Sequence, residues 1–258
     1  MDTIILGNGR LGRAVALAQV ERGDPAPRLI GRPEGGRHAP ADLSGADVAV
    51  EASRAEAVVP NVEVALAAGC RRVVIATTGW EHDRPSLEAL LRDHDAAAVV
   101  APNFSLGVVL FGRLVEAAVA LFGGLEDYDP YMVEWHRRTK VDRPSGTAKE
   151  LSRRILAAHP RKRRLAPSDL DGSPAPDELE LAVIRAGSSP GMHLVGFDAP
   201  GETIELRMTA RDRSAYAAGI LAAADWLLTE PRSPGVHGFD PVVDAMLARA
   251  DPTLSLTA

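Results

Sequence analysis

A short apolar run, Thr3 to Leu6, passes directly into Gly7-Asn8-Gly9-Arg10-Leu11-Gly12, and a helical pattern then occupies Arg10 to Glu21. A G-x-G-x-x-G hexapeptide means little alone, but between a strand and a helix it fixes the local fold. The glycines allow a tight turn and close helix–strand packing, and the helix start keeps unpaired N–H groups and the positive end of its dipole. Such a start holds a pyrophosphate well. Gly7, Asn8, Gly9, Arg10, Leu11 and Gly12 are therefore expected to line a dinucleotide.

The chain then alternates. Strands are expected at Arg28 to Ile30, Val48 to Ala52, Arg72 to Ala76 and Ala96 to Val100, with helices at Val58 to Ala68 and Glu88 to Asp93. This order makes an α/β, Rossmann-like, doubly wound parallel sheet, in which ligands bind beyond the carboxyl ends of the strands. Two loops fall there, Ala76-Thr77-Thr78-Gly79 and Ala101-Pro102-Asn103-Phe104, and both are expected to touch the cofactor. After the second strand, where NAD-binding chains offer Asp or Glu to the ribose, this chain has Gly31-Arg32. Arginine there favours a 2′-phosphate. Arg32 thus points to NADPH, while NADH stays open through the nearby Glu34.

Composition removes several function classes. With 258 residues the chain can bury one large or two modest cores, and its 25% charged and 46% hydrophobic content is that of an ordinary soluble protein. A net charge of -6 and the lack of a basic face argue against nucleic acid and anionic membrane as partners. The single cysteine, Cys70, excludes an internal disulfide framework and is read as a buried structural thiol in a cytoplasmic protein. His38, His82, His94 and His237 lack metal-ligand spacing and are read as solvent-facing, so no metal is expected.

Beyond an apolar helix at Leu106 to Phe122 the pattern changes. A strand at Asp129 to Trp135 is followed by a helix at Lys149 to Ala158, a Pro- and Arg-rich loop at His159 to Asp177 and strands at Leu179 to Arg185, His193 to Asp198 and Thr203 to Ala210. Strands in such close succession suggest antiparallel or mixed pairing in a second α+β domain. Helices at Ala215 to Leu228 and Pro241 to Ala250 are expected to return to the first domain. The expected division is 1-104 with 214-258 for the dinucleotide, and 105-213 for substrate binding and oligomerisation. The Arg161-Lys162-Arg163-Arg164 run reads as a solvated patch.

Between the first strand and helix of that second domain lies Glu134-Trp135-His136-Arg137-Arg138-Thr139-Lys140-Val141-Asp142-Arg143-Pro144-Ser145-Gly146-Thr147. Ser145, Gly146 and Thr147 open a helix and so offer N–H groups to an anion, most naturally a carboxylate. His136 and Lys140 stand beside that seat. Only three of the 29 basic residues are lysines, and Lys, unlike Arg, can give up a proton.

The glycine motif at Gly7 to Gly12, T-T-G at Thr77 to Gly79, A-P-N-F-S at Ala101 to Ser105 and the stretch Glu134 to Ala148 together resemble the dihydrodipicolinate reductase family. The likeness continues through R-A-G at Arg185 to Gly187 and G-M-H at Gly191 to His193. It implies hydride transfer from NAD(P)H to a cyclic, unsaturated imine dicarboxylate in lysine and diaminopimelate biosynthesis, and a homotetramer assembled through the substrate domain. By that resemblance His136 and Lys140 handle protons, with Lys140 the donor; Ser145, Gly146 and Thr147 hold a substrate carboxylate; and Thr78 touches substrate and cofactor. Two positions depart from the family. Arg137 replaces a second histidine and is read as a further carboxylate ligand, and Met208 replaces a histidine late in the last strand. These departures leave open a related reductase or dehydrogenase acting on another imine or amino acid, or a non-catalytic NADP-binding sensor. His193 is read as a packed or inter-subunit histidine.

Overall fold

The computed structural model describes residues 1–33 and 38–250. Two compact units form, one from Met1–Leu106 with the chain from Arg213 onward, the other from Gly107–Asp212.

The first unit begins with β1 (Thr3–Leu6), α1 (Arg10–Glu21) and β2 (Arg28–Ile30). A short helix α2 (Pro40–Leu43) leads to β3 (Val48–Glu51), α3 (Val58–Ala67), β4 (Arg72–Ile75), α4 (Arg84–Asp93) and β5 (Ala97–Val100). β1, β3, β4 and β5 are nearly continuous apolar runs because a sheet covered by helices on both faces buries every side chain. Ile4, Ile5, Leu6, Val50, Val74 and Val99 are all essentially inaccessible. The α4 helix starts four residues earlier than its apolar spacing suggested, since Pro85 is accepted in a first turn, where its missing N–H costs nothing.

The sheet has six strands, all parallel, and the sixth was not expected. The order is β11-β5-β4-β3-β1-β2, where β11 (Gly235–His237) pairs with Ala97–Val99 of β5. Before it comes α7 (Ser214–Thr229), and after it α8 (Asp240–Ala250). The α7 helix lies along α1, where Arg22 of one pairs with Asp225 of the other. His237, read as a solvent-facing loop residue, therefore stands on a strand, its ring edge-on to Trp226 at 5.5 Å.

The second unit holds α5 (Leu106–Phe122), β6 (Asp129–His136), α6 (Gly146–Ala158), a two-residue β7 (Arg164–Leu165), β8 (Glu178–Arg185), β9 (Met192–Ala199) and β10 (Glu202–Thr209). Its five-stranded sheet runs β10-β9-β6-β8-β7. Pairing is mixed: β9 is antiparallel to both β6 and β10, but β8 runs parallel to β6 because α6 carries the chain back across. One face is packed by Met132, Leu179, Val195 and Phe197 against Phe111, Val115, Leu151 and Ile155 of the two helices.

The basic run is solvated only in part: Arg161, Arg163 and Arg164 are exposed, as expected, but tied down, and Lys162 is buried. Arg161 donates to the carbonyls of Leu125, Glu126 and Tyr128 at 2.9–3.0 Å. Lys162 is buried against Asp129, with Nζ 2.5 Å from Oδ1, and Arg164 pairs with Asp177 and Glu178. The N–H groups of Arg161 and Lys162 both reach Nδ1 of buried His159. These cations hold the turns that bring β6 and β7 into the sheet.

Candidate functional site

The first unit presents a cradle at the carboxyl ends of β1, β2 and β3. Gly7 has φ 128°, and a Cβ on it would lie 2.3 Å from the Ala52 carbonyl oxygen, so no other residue fits between β1 and β3. A Cβ on Gly12 would meet the Gly7 oxygen at 1.9 Å, which keeps α1 tight on the turn. Gly9 instead has open space in front of it and caps α1 with no side-chain hydrogen bond. The helix start is thus free to meet an anion. Asn8 accepts a 2.9 Å bond from Arg13 Nε, which fixes the turn from its outer side, and Arg10 is exposed and Leu11 half-buried.

Around this turn lies a cavity of about 480 Å³ lined by Gly7, Gly9, Arg32, His38, Ser53 and Asn61, among others. Its size suits part of a dinucleotide. His38 was read as solvent-facing but is half-buried in this wall. Arg54, also in the wall, went unnoticed in the sequence because it looked like one more surface arginine. Glu34 lies outside the described residues.

The other two loops differ from one another. Thr78 and Gly79 are exposed, Ala76 and Thr77 half-buried, and the loop is closed by Trp80, whose indole N–H donates to the Thr77 carbonyl at 2.9 Å. In the later loop Pro102 is exposed and Asn103 half-buried, but Ala101 and Phe104 are buried. The Phe104 ring packs 5.1 Å from that of Phe239. Phe104 is therefore a core residue by its side chain, and an apolar residue at the end of a strand pattern gave no means of telling the two roles apart.

The second unit carries the titratable group. His136 ends β6, and the chain leaves it by Arg137 N–H donating to the Ser189 carbonyl and Arg138 N–H to that of Gly187. The imidazole is buried, with Nδ1 unpartnered and 3.8 Å from Glu134 Oε1. Burial lowers its pKa, Glu134 acts the other way, and Lys140 and Arg185 lower it further. His136 is thus a neutral base at rest. Gly191, at φ 148°, makes room for it, since a Cβ there would sit 2.9 Å from His136 Nε2.

Lys140 is mostly covered, 22% exposed at its side chain, and its ammonium lies 2.7 Å from Asp142 Oδ1. The hydrogen bond from Lys140 is the main reason the Asp142 carboxyl lies below its ordinary range. Arg137 is exposed, and among the described residues its side chain bonds only to Thr139, through Nε, so the rest of its guanidinium is available to a ligand. An arginine offers a carboxylate two parallel donors.

Glu134 organises the loop. It is fully buried opposite His193 on β9 and accepts from Ser145 N–H, Ser145 Oγ and Arg185 Nη2. Burial works against its charge, but the bonds from Ser145 and Arg185 outweigh it and hold the pKa below the carboxylate norm. This corrects the reading of Ser145. Its own donors are spent on Glu134, and its oxygen accepts the Ala148 N–H, so it is the N-cap of α6. Gly146 and Thr147 carry the first helical N–H groups, which have no intrahelical acceptor; Gly146 is exposed with open space before it, and Thr147 is half-buried. The Arg143–Pro144 bond just before is cis.

Glu134, His136 and His193 bring potential metal ligands within 4.8 Å of one another. A cation there would sit against the Arg185 guanidinium that already neutralises Glu134, so the donor set does not suit one. His193 is buried and its pKa is pushed down to about 4, first by desolvation and then, against the pull of Glu134, by His136, Lys140 and Arg185. Arg185, Gly191 and His193 were visible in the sequence only as parts of short motifs, without their partners.

One unit thus carries a glycine turn at a free helix start, as nicotinamide oxidoreductases do, and the other a buried histidine and a lysine beside a second open helix start. Family models for the two halves of dihydrodipicolinate reductase match this chain, the N-terminal model at residues 37–104 and the C-terminal model at residues 107–243. The 4-hydroxy-tetrahydrodipicolinate reductase of Methanoregula boonei is 36% identical over 197 residues, 76% of this chain and 74% of that protein. That of Archaeoglobus fulgidus is 38% identical over 201 residues, 76% and 75% of the two chains. The chain belongs to the dihydrodipicolinate reductase family, and it is a reductase of lysine biosynthesis.

Solved structures agree on the fold. A dipicolinate-bound dihydrodipicolinate reductase from Paenisporosarcina sp. TG-14 superposes with a TM-score of 0.67 at 18% identity, covering 92% of this chain and 97% of that one. GenD2 from gentamicin A biosynthesis, in complex with NAD, gives a TM-score of 0.55 at 15% identity over 94% and 90% of the two chains. The glycine turn precedes the first residue matched by the N-terminal family model, so its cofactor role rests on the geometry around Gly7, Gly9 and Gly12.

Proposed function

We propose that this chain reduces 4-hydroxy-tetrahydrodipicolinate to tetrahydrodipicolinate with NADPH as the preferred donor and NADH as an alternative. The observation that carries this reading is the pairing of an open α6 start at Gly146 and Thr147 with the His136 and Lys140 loop beside it. When bound, the reduced nicotinamide supplies the hydride. Gly7, Gly9 and the start of α1 hold its pyrophosphate, Arg32 the 2′-phosphate, and the Thr77–Thr78–Gly79 and Pro102–Asn103 loops the nicotinamide end. Gly146 and Thr147 take one substrate carboxylate, and Arg137 takes the second in place of a histidine.

Loss of the substrate's 4-hydroxyl as water leaves a conjugated imine, and hydride addition to it pushes an electron pair onto the ring nitrogen. Lys140, whose Nζ pairs with Asp142, gives the proton that neutralises it. His136, buried beside it with Nδ1 unpartnered, shapes the polarity of the pocket. Thr78 contacts both ligands.

Four copies assemble through the open face of the second sheet. Trp135 and Ile184 are register partners on β6 and β8 and are 37% and 42% exposed, which leaves an apolar strip suited to another copy. No described helix is long and apolar enough to cross a membrane. A cytoplasmic setting fits the single buried thiol, Cys70.

The test is a coupled assay on the condensation product of aspartate semialdehyde and pyruvate, followed by nucleotide oxidation. Oxidation of NADPH is expected; none, with nucleotide still bound, would favour the sensor reading, and activity on another imine would favour the related-enzyme reading. Dissociation constants for both nucleotides measured on wild type and Arg32→Ala decide preference. Arg32→Ala should weaken NADPH by at least about tenfold and NADH far less. Sedimentation equilibrium decides the assembly, with Ile184→Asp expected to lower the mass.

A further inference from the structure

At the end of β3, Glu51 is fully buried, and no ion pair among the described residues involves it. Its Oε1 accepts from Ser53 N–H, Ser53 Oγ and Asn61 Nδ2. Asn61 Nδ2 also reaches Ser53 Oγ at 3.2 Å, so the triad is closed. The segment this triad fixes, Ala52–Ser53, is the surface against which the Gly7 turn is pressed. On the other side, Glu51 Oε2 and Thr77 Oγ1 are both buried without a well-formed hydrogen bond, though Thr77 is close enough to act on the carboxyl. Glu51 thus stands between the glycine turn and the loop that begins at Thr77.

We propose that Glu51 is a positioning residue for the dinucleotide: its carboxyl joins the Ala52–Ser53 ledge under the glycine turn to α3 and to the Thr77 loop. This rests on the cofactor reading above and adds a residue to it.

Burial drives the Glu51 pKa up, and the bonds from Ser53, Thr77 and Asn61 offset that only in part. The Thr77 hydroxyl is the group placed to donate to Oε2, which satisfies both orphaned atoms at once. The charged groups that face the cavity beside it, Arg32, His38, Arg54 and Glu56, lie in its wall, and none of them pairs with Glu51.

The experiment compares Glu51→Gln, Glu51→Leu and Thr77→Val for NADPH affinity by calorimetry at pH 7, with thermal melts alongside. Gln keeps the acceptor for Ser53 and Asn61 and donates to the Thr77 hydroxyl instead, so its Kd should stay within about threefold of wild type. Leu removes the network and should raise Kd and the KM for NADPH by at least about tenfold, with the KM for the imine unchanged. Thr77→Val removes the hydroxyl that faces Glu51 while keeping the backbone of the loop at the nicotinamide end, and should give a smaller rise of several-fold; it covers the case in which the Leu variant does not fold. Gln as damaging as Leu would show that the hydrogen bonds at this position do not set the ledge and would overturn the proposal. Leu and Val variants that fold and bind like wild type would overturn it too. A wild-type chain that binds neither nucleotide would instead remove the cofactor reading, and this inference with it.

Discussion

Replacing Glu134 by Gln tests whether the seat for the substrate carboxylate is held by a buried ion pair. The wild-type carboxylate is inaccessible and takes three donors, two from Ser145 and one from Arg185, whose own side chain is 8% exposed. Gln keeps one acceptor oxygen but turns an NH₂ toward either Arg185 or Ser145. Stranding a buried cation costs about 3–5 kcal/mol. Arg185 keeps its bond to the Asp142 carbonyl, so the lower end applies, about 3 kcal/mol. For a chain of this size that is a fall of roughly 6–12 °C in Tm. The Glu134 pKa is lower folded than unfolded, so its contribution is complete above the unfolded value, about 4.3, and fades as pH falls through the folded one. The gap in Tm between wild type and Glu134→Gln should therefore be full at pH 7 and narrow below about pH 4. With Ser145 released, Gly146 and Thr147 lose their fixed orientation, so the KM for the imine should rise while NADPH affinity does not. Thermal melts from pH 3 to 8 and steady-state kinetics read both effects. A drop of under 2 °C at pH 7, or a gap that does not change with pH, would refute the ion-pair account.

Three further outcomes follow from the same geometry. Lys140→Ala should lower kcat by about 10²–10⁴-fold with unchanged NADPH affinity, and Lys140→Arg should not rescue it because Arg holds its proton; rescue by Arg would leave only an electrostatic role. His193, with a folded pKa near 4 against about 6.5 unfolded, costs the fold nothing above pH 6.5 and roughly 3 kcal/mol by pH 4, so the His193→Phe variant should lose less Tm between those pH values than wild type does. Arg161→Ala removes the donor to three carbonyls and should cost about 1–3 kcal/mol by urea titration without changing KM for either ligand, whereas a truly solvated arginine would cost nearly nothing.

Features with a local cause were the ones the sequence displayed. The Gly7–Gly12 turn, the apolar runs of β1, β3, β4 and β5, and Leu106–Phe122 as a helix all follow from patterns within one element. What escaped was set by partners far along the chain. Gly235–Val236–His237 is three residues behind a Pro-rich approach, and it is a strand only because β5 offers an open edge to it. The Arg161–Arg164 run looked solvated because its acceptors are backbone carbonyls and acids elsewhere, and a carbonyl carries no side-chain signature. The same limit applied to the loop. Ser145 as an anion ligand follows from helix capping, but Glu134, eleven residues earlier, takes its donors, and a contact across a loop of that length leaves no periodic mark in the sequence.

The placement of β11 also bears on how the protein is made. Synthesis runs from the N-terminus at about 5–20 residues per second, and domains fold as units. The stretch Gly107–Asp212 is continuous, so it can close as soon as it leaves the ribosome. The five earlier strands must wait, with the Ala97–Val100 edge bare, until Gly235–His237 emerges. During that interval the nascent chain presents an unsatisfied strand edge to its neighbours on the polysome, and this is the stage at which chaperones would find it.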